Sequence, residues 1–396
     1  MTSELPLAWR TARDETYRAG RRALAPPVEL PLTSTDGLTL AGPLATLTDL
    51  PAFATSSVDG YATRGPGPWP VDGRVLAGQV SPALAAGTAV EIATGAMVPA
   101  GTEQIIRTEE STVDRDGRVS GQGRPTPEWR EPGDEAAKGE ELIPAGAAVT
   151  PGVIGLAAAC GYDQLLVYPA PRVAVLVFGD ELLAYGTPGD GRVRDSLGPQ
   201  LPAWLRRLGA RPVAVYGPVT DTLDAHVEAL RNAISEADVV CTTGGTMHGP
   251  VDHLHPALAA LGARYVVNTV AVRPGFPMLV AEIPRGSDRP AYVAGLPGNP
   301  QSAIVALMSL VQPLLTGLSG RSEPALGQVR LGAAVPGRGS FTHLALVRLA
   351  PDGVAYPVGH VGSSMLRGLA QSDGFAVIEP SAEGTVGSTV DFLRLP

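Results

Sequence analysis

From residue 171 to residue 318 the sequence alternates continuous apolar runs with segments of helical periodicity. The runs RVAVLVF, RPVAVYGPV, ADVVCTT and AYVAGLP predict strands that are buried on both faces. Helices are predicted at roughly 196–208, 221–236, 253–261 and 300–317. Strands that alternate with helical crossovers are typical of a doubly wound, mostly parallel α/β sheet, and ligands bind such sheets at the carboxyl ends of the strands.

The regions on either side of this sheet have a different pattern, in which short apolar runs are separated by Gly and Pro turns. Residues 6–24 predict an amphipathic helix. The expected fold class is multidomain, α/β plus β, with small β-rich domains flanking the α/β domain. We predict a discontinuous N-terminal linker domain at 1–52 and 128–170, a small β domain at 53–127, the α/β domain at 171–318 and a C-terminal β domain at 319–396.

Composition narrows the class of protein. The chain has 396 residues, 44% of them hydrophobic, and a net charge of −9, which argues against a general nucleic-acid binder. Cys160 and Cys241 each lie in an apolar run without metal-type spacing, so we expect buried, reduced thiols in a cytoplasmic protein. The polar N-terminus argues against a signal peptide. No apolar run approaches 18 residues, which argues against a membrane-spanning helix.

Two of the predicted strands end in loops of glycine and small residues, TTGG at 242–245 and GLPGNP at 295–300. Glycine allows another group to approach the backbone closely. In the second loop we expect Asn299 to cap the following helix and Pro300 to occupy its first turn, which leaves free amides for an anion. Each loop alone is equally typical of a well-capped turn, but two at one sheet edge favour phosphate binding.

Carboxylates follow several of these strands. Each alone is typical of a turn or a cap, but together they would suit Mg²⁺ or ribose hydroxyls. They are Asp180, Glu181, Asp195 and Asp252. The neighbouring His248, His253 and His255 raise a zinc alternative, which is weak because no further ligand is evident. In the small β domain, Asp59 and Thr94 lie in predicted turns, and no Ser-His-Asp arrangement is evident from spacing.

Seven motifs occur in a fixed order: VDGYA, IATGAMVPAG, FGDEL, DSLGPQL, TTGGTMHGPVD, RPGFP and GLPGNPQSA. In this order they resemble the molybdopterin molybdenumtransferase family, to which a domain of gephyrin is related. The resemblance extends from about residue 10 to the C-terminal HVGSSMLRGLAQSDGFAVIEP, which is nearly the whole chain. The ordered set is highly specific, whereas no single motif is.

The resemblance implies a homodimer of elongated four-domain subunits whose cleft includes the β domain of the partner subunit. The implied reaction inserts molybdate into the dithiolene of adenylylated molybdopterin, requires Mg²⁺ and releases AMP. By motif, the implied catalytic residues are Asp59, Glu181, Asp195, Asp252 and Arg273, with Glu181, Asp195 and Asp252 also as metal ligands. The implied residues that bind the pterin nucleotide are Thr94, Arg130, Thr243, Gly244, Gly245, Pro297, Gly298, Asn299, Pro300 and Ser302.

The chain departs from the family pattern at four positions. Glu135 stands for an aspartate, Phe178 for a threonine and Leu197 for an amide. The family's KPGKP reads RPGFP, so Arg273 keeps the first charge and Phe276 removes the second. Phe276 either weakens oxyanion binding or packs against the RPG turn while Arg273 carries the charge.

The departures keep two alternative functions open. One is a pterin-nucleotide carrier or scaffold without turnover. The other is a molybdopterin adenylyltransferase, which the flanking β domains argue against because that activity belongs to a stand-alone α/β domain.

Overall fold

A computed structural model describes residues 5–247, 252–286 and 289–396 of the chain. The chain divides into two compact units. The first comprises Met1–Val28, Gly37–Ala41 and Val167–Pro396, and the second comprises Glu29–Asp36 and Gly42–Leu166.

The α/β part of the first unit is built on a six-stranded sheet. Its strands in chain order are β1 (Arg172–Phe178), β2 (Arg211–Val219), β3 (Val239–Thr243), β4 (Arg264–Asn268), β5 (Leu279–Ile283) and β6 (Ala291–Leu296). Their spatial order is β2-β1-β3-β6-β5-β4. Strands β2, β1, β3 and β6 are parallel, and β5 is antiparallel to both its neighbours. The sheet is therefore mostly parallel, as the continuous apolar runs predict.

Helices cover both faces of this sheet. They are α1 (Trp9–Arg22), α2 (Leu197–Arg207), α3 (Leu223–Glu236), α4 (Leu254–Ala260), α5 (Pro300–Ala306) and α6 (Gln312–Leu318), with a π-helical segment at Leu307–Val311. Side chains of β1 alternate between the two faces. Val173, Val175 and Val177 pack with α1, α2, α5 and α6, whereas Ala174 and Leu176 pack with α3 and α4. The expected doubly wound architecture is confirmed.

The helix predicted at 300–317 corresponds to the helical stretch Pro300–Leu318, which includes the π-helical segment Leu307–Val311. Among the described residues it is the single helical stretch long and apolar enough to cross a membrane, and 89% of its most apolar segment is buried inside the protein. Core helices of globular proteins can be equally long and apolar, and burial on this scale identifies Pro300–Leu318 as one.

The helix α1 packs on the α/β core. Trp9 Nε1 donates to Ser309 Oγ at 2.8 Å, and Arg13 donates to the Met308 carbonyl at 2.7 Å, both on the π-helical segment. These contacts group residues 1–28 with the α/β part. The domain boundaries expected from the sequence, which place 1–52 in a linker domain, stay a prediction.

A seven-stranded sheet forms the remainder of the first unit. In spatial order its strands are Leu7–Ala8, Val270–Arg273, Thr342–Leu349, Val354–Pro357, Gly327–Leu331, Thr389–Arg394 and Gly374–Ile378. The strand Val270–Arg273 follows β4 directly and runs parallel to Thr342–Leu349, with Arg273 opposite His343. The α/β part thus contributes a strand to the C-terminal β sheet, and the RPGFP loop begins at its end.

The second unit contains a six-stranded sheet and small two-stranded sheets. The large sheet has the order Ser111–Val113, Arg118–Gly121, Trp69–Val75, Ala89–Ile92, Gly60–Thr63 and Gln104–Arg107. The small sheets pair Thr55–Ser56 with Trp129–Arg130 and Leu44–Ala45 with Glu141–Ile143, and one helix spans Pro151–Ala159. Further strands among the described residues are Val28–Pro31, Thr39–Leu40, Gln164–Tyr168, Leu182–Leu183 and Val193–Arg194. The 3₁₀ turns in this part of the chain are Leu32–Ser34, Thr108–Glu110 and Leu369–Gln371.

Candidate functional site

A cavity of about 880 Å³ lies at the carboxyl ends of β1, β3 and β6. We call it the carboxylate cavity, because three of the carboxylates expected from the sequence line it. Asp180 is not among the lining residues. The sequence-predicted residues that it brings together are Glu181, Asp195, Asp252, Thr243, Gly244, Gly245, Pro297, Gly298, Asn299 and Pro300.

The glycine loops of this cavity meet each other. Gly244 and Gly245 have φ angles of +86° and +68°, a backbone region that side chains rarely adopt. A Cβ atom at Gly298 would lie 3.7 Å from the Gly244 Cα, and the Gly244 amide donates to the Leu296 carbonyl at 2.9 Å. The two loops therefore form one continuous floor of bare backbone, as a cradle for a phosphate requires.

The amino terminus of α5 differs from the expectation. Asn299 occupies the N-cap position, but its side chain makes no capping hydrogen bond. The amides of Gln301 and Ser302, which we expected to be free for an anion, both donate to the Ser363 carbonyl, at 3.0 and 3.3 Å. The prediction of a free helix terminus is wrong, because a loop of the C-terminal sheet that is distant in sequence already satisfies these donors.

Asp195 is held in place by the start of α2. Its Oδ1 atom accepts hydrogen bonds from the Leu197 amide at 2.9 Å and from the Gly198 amide at 3.0 Å. A Cβ atom at Gly198 would lie 2.2 Å from Asp195 Oδ2, so only glycine leaves room for this carboxylate. Asp195 thus acts as a helix cap and also faces the cavity.

Within the described ranges 5–247, 252–286 and 289–396, no group of three or more His, Cys, Asp or Glu residues could by itself hold a metal ion. His248, one member of the zinc alternative, lies outside the described residues. Nδ1 of His255 lies 2.6 Å from the Tyr265 hydroxyl. The ring of His253 packs against that of His226, with 5.6 Å between the two ring centroids. The zinc alternative gains no support from these neighbours.

The Phe178 departure has a packing explanation. The side chain is 4% exposed and belongs to the core beneath α3 and α4. Its ring packs edge-to-face on His226, with 3.8 Å between the ring centroids. His226 is fully buried, and neither of its ring nitrogens has a hydrogen-bond partner among the described residues. Its Nε2 atom lies 3.9 Å from Asp221 Oδ1, but burial outweighs this charge and lowers the pKa of His226. Phe178 therefore shields a buried imidazole.

A second cavity of about 820 Å³ lies between the RPGFP loop and the C-terminal sheet, and we call it the arginine cavity. It contains Arg273, Phe276 and Ser302 from the expected set, together with Arg338 and His343. It shares Pro277, Pro297 and Asn299 with the carboxylate cavity. The sequence-predicted site residues of this unit therefore lie in two adjoining cavities separated by the GLPGNP loop.

Aromatic rings enclose Arg273. Phe276 packs edge-to-face on Phe341 with 5.8 Å between centroids, and the Arg273 guanidinium lies over both rings. This arrangement agrees with the packing interpretation of Phe276, in which Arg273 carries the charge.

Sequence reasoning missed part of the arginine cavity. Arg338, Phe341, His343 and Ser363 come from the C-terminal region, where only short strands were recognised. The alternation of Phe341 and His343 after Arg338 was the available signal, since residues two apart on a strand share a face.

The remaining predicted site residues belong to the second unit. Asp59 Oδ1 accepts hydrogen bonds from the Thr94 amide at 2.7 Å and the Thr94 hydroxyl at 3.1 Å. Arg130 lies on a strand that pairs with Thr55–Ser56, and its side chain is exposed. The structure therefore brings Asp59 and Thr94 together as one polar pair.

Comparison with known proteins identifies the family of the chain. Three family models match the chain: "MoeA N-terminal region (domain I and II)" at residues 8–161, "Probable molybdopterin binding domain" at 174–317 and "MoeA C-terminal region (domain IV)" at 328–395. The molybdopterin molybdenumtransferase of Nostoc sp. is 34% identical over 316 residues, which are 76% of this chain and 72% of that protein. The chain belongs to the molybdopterin molybdenumtransferase family.

Other members of the molybdopterin molybdenumtransferase family extend the match. Molybdopterin molybdenumtransferase 2 of Mycobacterium tuberculosis is 31% identical over 88% of this chain and 90% of its own length. A crystal structure of the molybdopterin biosynthesis MoeA protein from Pyrococcus horikoshii has a TM-score of 0.80 over 99% of this chain and all of that one, at 24% identity. The family, the multidomain fold and the class of activity, a transferase of molybdenum cofactor biosynthesis, are confirmed.

Proposed function

We propose that this transferase inserts molybdate into the dithiolene of adenylylated molybdopterin and releases AMP. One observation carries the proposal: a carboxylate cavity with a bare-backbone cradle adjoins a cavity that contains arginines, and Pro277, Pro297 and Asn299 line both. A pterin nucleotide and an oxyanion are the two substrates of this reaction. Adjoining cavities bring such a pair together before the chemical step.

The carboxylate cavity suits the nucleotide. The floor of Gly244, Gly245 and Gly298 lets a pyrophosphate approach the backbone, and Thr243 and Thr246 border it. The oxygen donors of Glu181, Asp195 and Asp252 are of the type that Mg²⁺ prefers, and they would hold the ion beside the nucleotide. The ion would supply positive charge against the phosphates. Substrate phosphate oxygens would have to supply further ligands, because no group of three or more such residues in the described part of the chain could hold a metal ion by itself.

The arginine cavity suits the oxyanion. Arg273 and Arg338 supply permanent positive charge, and Ser302 and Ser363 add polar groups. Packing against Phe276 and Phe341 fixes the Arg273 guanidinium, so little rotamer entropy is lost when an anion binds. In this scheme Arg273 attracts and orients molybdate beside the pterin rather than acting on the phosphates.

A cytoplasmic homodimer, without nucleic-acid or membrane partners, belongs to the same proposal. The net charge of −9 supports the lack of nucleic-acid binding. Asp59, Thr94 and Arg130 of the second unit are proposed to serve a cleft completed by the partner subunit, as the family resemblance implies.

The test is incubation of the full chain with adenylylated molybdopterin, Mg²⁺ and molybdate, with AMP release and cofactor formation followed separately. We expect both products in equal amounts. Nucleotide binding without AMP release would favour the carrier or scaffold. Consumption of ATP with non-adenylylated molybdopterin, with release of pyrophosphate, would favour the adenylyltransferase.

A further inference from the structure

The side chains of His343 and Arg273 lie side by side in the arginine cavity. Their residues are register partners on adjacent parallel strands, and partners on such strands project from the same face of the sheet. Both line the cavity, together with Phe341, two residues before His343 on the same face. An anion that binds near Arg273 is therefore within reach of the imidazole.

One hydrogen bond decides the tautomer of His343. Its Nδ1 atom lies 2.8 Å from the Pro336 carbonyl oxygen, which can only accept. Nδ1 must therefore carry the hydrogen. In the neutral ring Nε2 then carries a lone pair and no hydrogen. A neutral His343 presents only an acceptor to an oxyanion, whereas the protonated ring presents a donor and a charge.

The charges around His343 are of both signs. Arg273 lies on the neighbouring strand, and Arg338 lies on the loop that contains Pro336. Glu383 faces the same loop, where its Oε2 accepts from the Gly337 amide at 2.7 Å. Without an anion, the two arginines disfavour a third positive charge. A bound dianion reverses that preference.

We propose that His343 is an oxyanion-binding residue that takes up a proton when the anion binds in the arginine cavity. The identity of the anion as molybdate rests on the proposed function, whereas the coupling holds for any tetrahedral dianion in this cavity. Proton uptake turns Nε2 into a donor toward the anion and keeps Nδ1 bonded to Pro336. The affinity of the site for oxyanions therefore depends on pH.

The direction of the pH dependence follows from linkage. Burial, and to a smaller extent the charge of Arg338, lower the pKa of His343 in the free protein below its ordinary 6.5, which the bond to Pro336 only partly offsets. The free ring is thus neutral at pH 7.5, and the bound dianion raises its pKa. Between the two pKa values each unit of pH increase raises Kd by up to about tenfold.

The experiment is calorimetric titration of the full chain with molybdate and with sulfate, a non-reactive dianion, from pH 6.0 to 8.5 and without pterin nucleotide. Repetition in buffers of different ionisation enthalpy counts the protons taken up. We expect uptake approaching about one proton per bound anion near pH 7.5 and a Kd that rises with pH.

Three variants sharpen the test. His343→Gln keeps a donor for the Pro336 carbonyl but cannot titrate. We therefore expect no proton uptake and no higher anion affinity at pH 6.0 than at pH 8.5. In His343→Arg the positive charge is permanent, so binding at pH 8.5 should tighten without proton uptake. His360→Asn is the matched control, because this exposed histidine does not line the cavity and asparagine tolerates its φ of +58°. It should behave as wild type.

The same pH slope in His343→Gln as in wild type would overturn the inference, as would anion binding without proton uptake or no anion binding at millimolar concentration. Failure of the proposed function has a different signature. If proton-coupled sulfate binding is present while AMP release is absent, the inference stands and the proposed reaction fails.

Discussion

The guanidinium carbon of Arg273 lies 4.6 Å from the centroid of the Phe341 ring and 5.4 Å from that of Phe276. Each such contact contributes about 0.5–2 kcal/mol, depending on how far the cation is desolvated. Phe276 stands where the family pattern has a lysine, and the contact shows one physical consequence of that change. The RPGFP loop has one cation fewer than the family pattern, and the cation that the loop keeps, Arg273, is held by two rings.

Replacement of Phe276 tests whether the missing lysine charge or the packing of the ring on Arg273 matters more for molybdate binding. We expect Phe276→Lys to lower the molybdate concentration needed for half-maximal insertion several-fold, since a further cation in the cavity attracts the dianion by at most a few kcal/mol at an effective dielectric of about 20. Nucleotide binding should stay nearly unchanged. Phe276→Leu is the control that removes the ring without adding charge. Equal half-saturation in Phe276→Lys and wild type would assign Phe276 to packing alone.

Asp252 and Asp195 are predicted to differ in their effects on stability. Asp252→Ala should lose most Mg²⁺-dependent AMP release with a small change in thermal midpoint, because this carboxylate lines the cavity outside the core. Asp195→Ala should lose activity and also destabilise the fold by about 1 kcal/mol, because it removes the helix cap. Asp195→Asn retains an acceptor for the cap and should lose only activity. A destabilised Asp252→Ala with normal specific activity would contradict the assignment.

Gly198 offers a test of carboxylate placement. Gly198→Ala introduces a Cβ atom 2.2 Å from Asp195 Oδ2, so we expect the carboxylate to move and AMP release to fall at least tenfold. Gly155→Ala is the matched control, since it also lies in a helix and its Cβ atom would meet nothing within 4 Å. That control should keep full activity and gain up to about 1 kcal/mol of stability. Normal activity in Gly198→Ala would show that the position of Asp195 is not critical.

His226 predicts a pH effect on folding. Burial lowers the pKa of this imidazole in the folded state below its ordinary 6.5, so the unfolded chain binds more protons as the pH falls. The free energy of unfolding should therefore decrease as pH drops below about 6.5, down to the folded-state pKa. In His226→Leu this contribution should be absent between pH 7 and pH 5. Denaturant unfolding across that range measures the difference, and parallel pH profiles for both proteins would rule out this origin.

We predict a homodimer. The six-stranded sheet of the second unit has a small core, and small domains bury little of their surface alone. Light scattering at micromolar concentration should give twice the chain mass of 40.7 kDa. A monomer at that concentration would count against a cleft completed by the partner subunit.

The strands of the α/β sheet, and most of the loop residues at their carboxyl ends, could be predicted from the sequence. Continuous apolar runs predicted β1, β2, β3 and β6, because strands buried on both faces leave few polar positions. The glycine loops and the carboxylates were predicted to meet, because parallel strands end at one edge of a sheet. The order of the motifs was sufficient for the family. The change of hydrophobic pattern along the chain placed the domain boundaries, which stay predictions.

Contacts between residues that are distant in sequence became visible only in the folded structure. Ser363 satisfies the amides of α5, and Phe341 and His343 join Arg273, across contacts that no local pattern encodes. The environment of Phe178 was likewise invisible, because a phenylalanine in place of a threonine indicates nothing about the buried histidine beneath it. Local propensity and periodicity determine which elements form and what ends them. Packing between distant segments determines which polar groups remain free to bind a ligand.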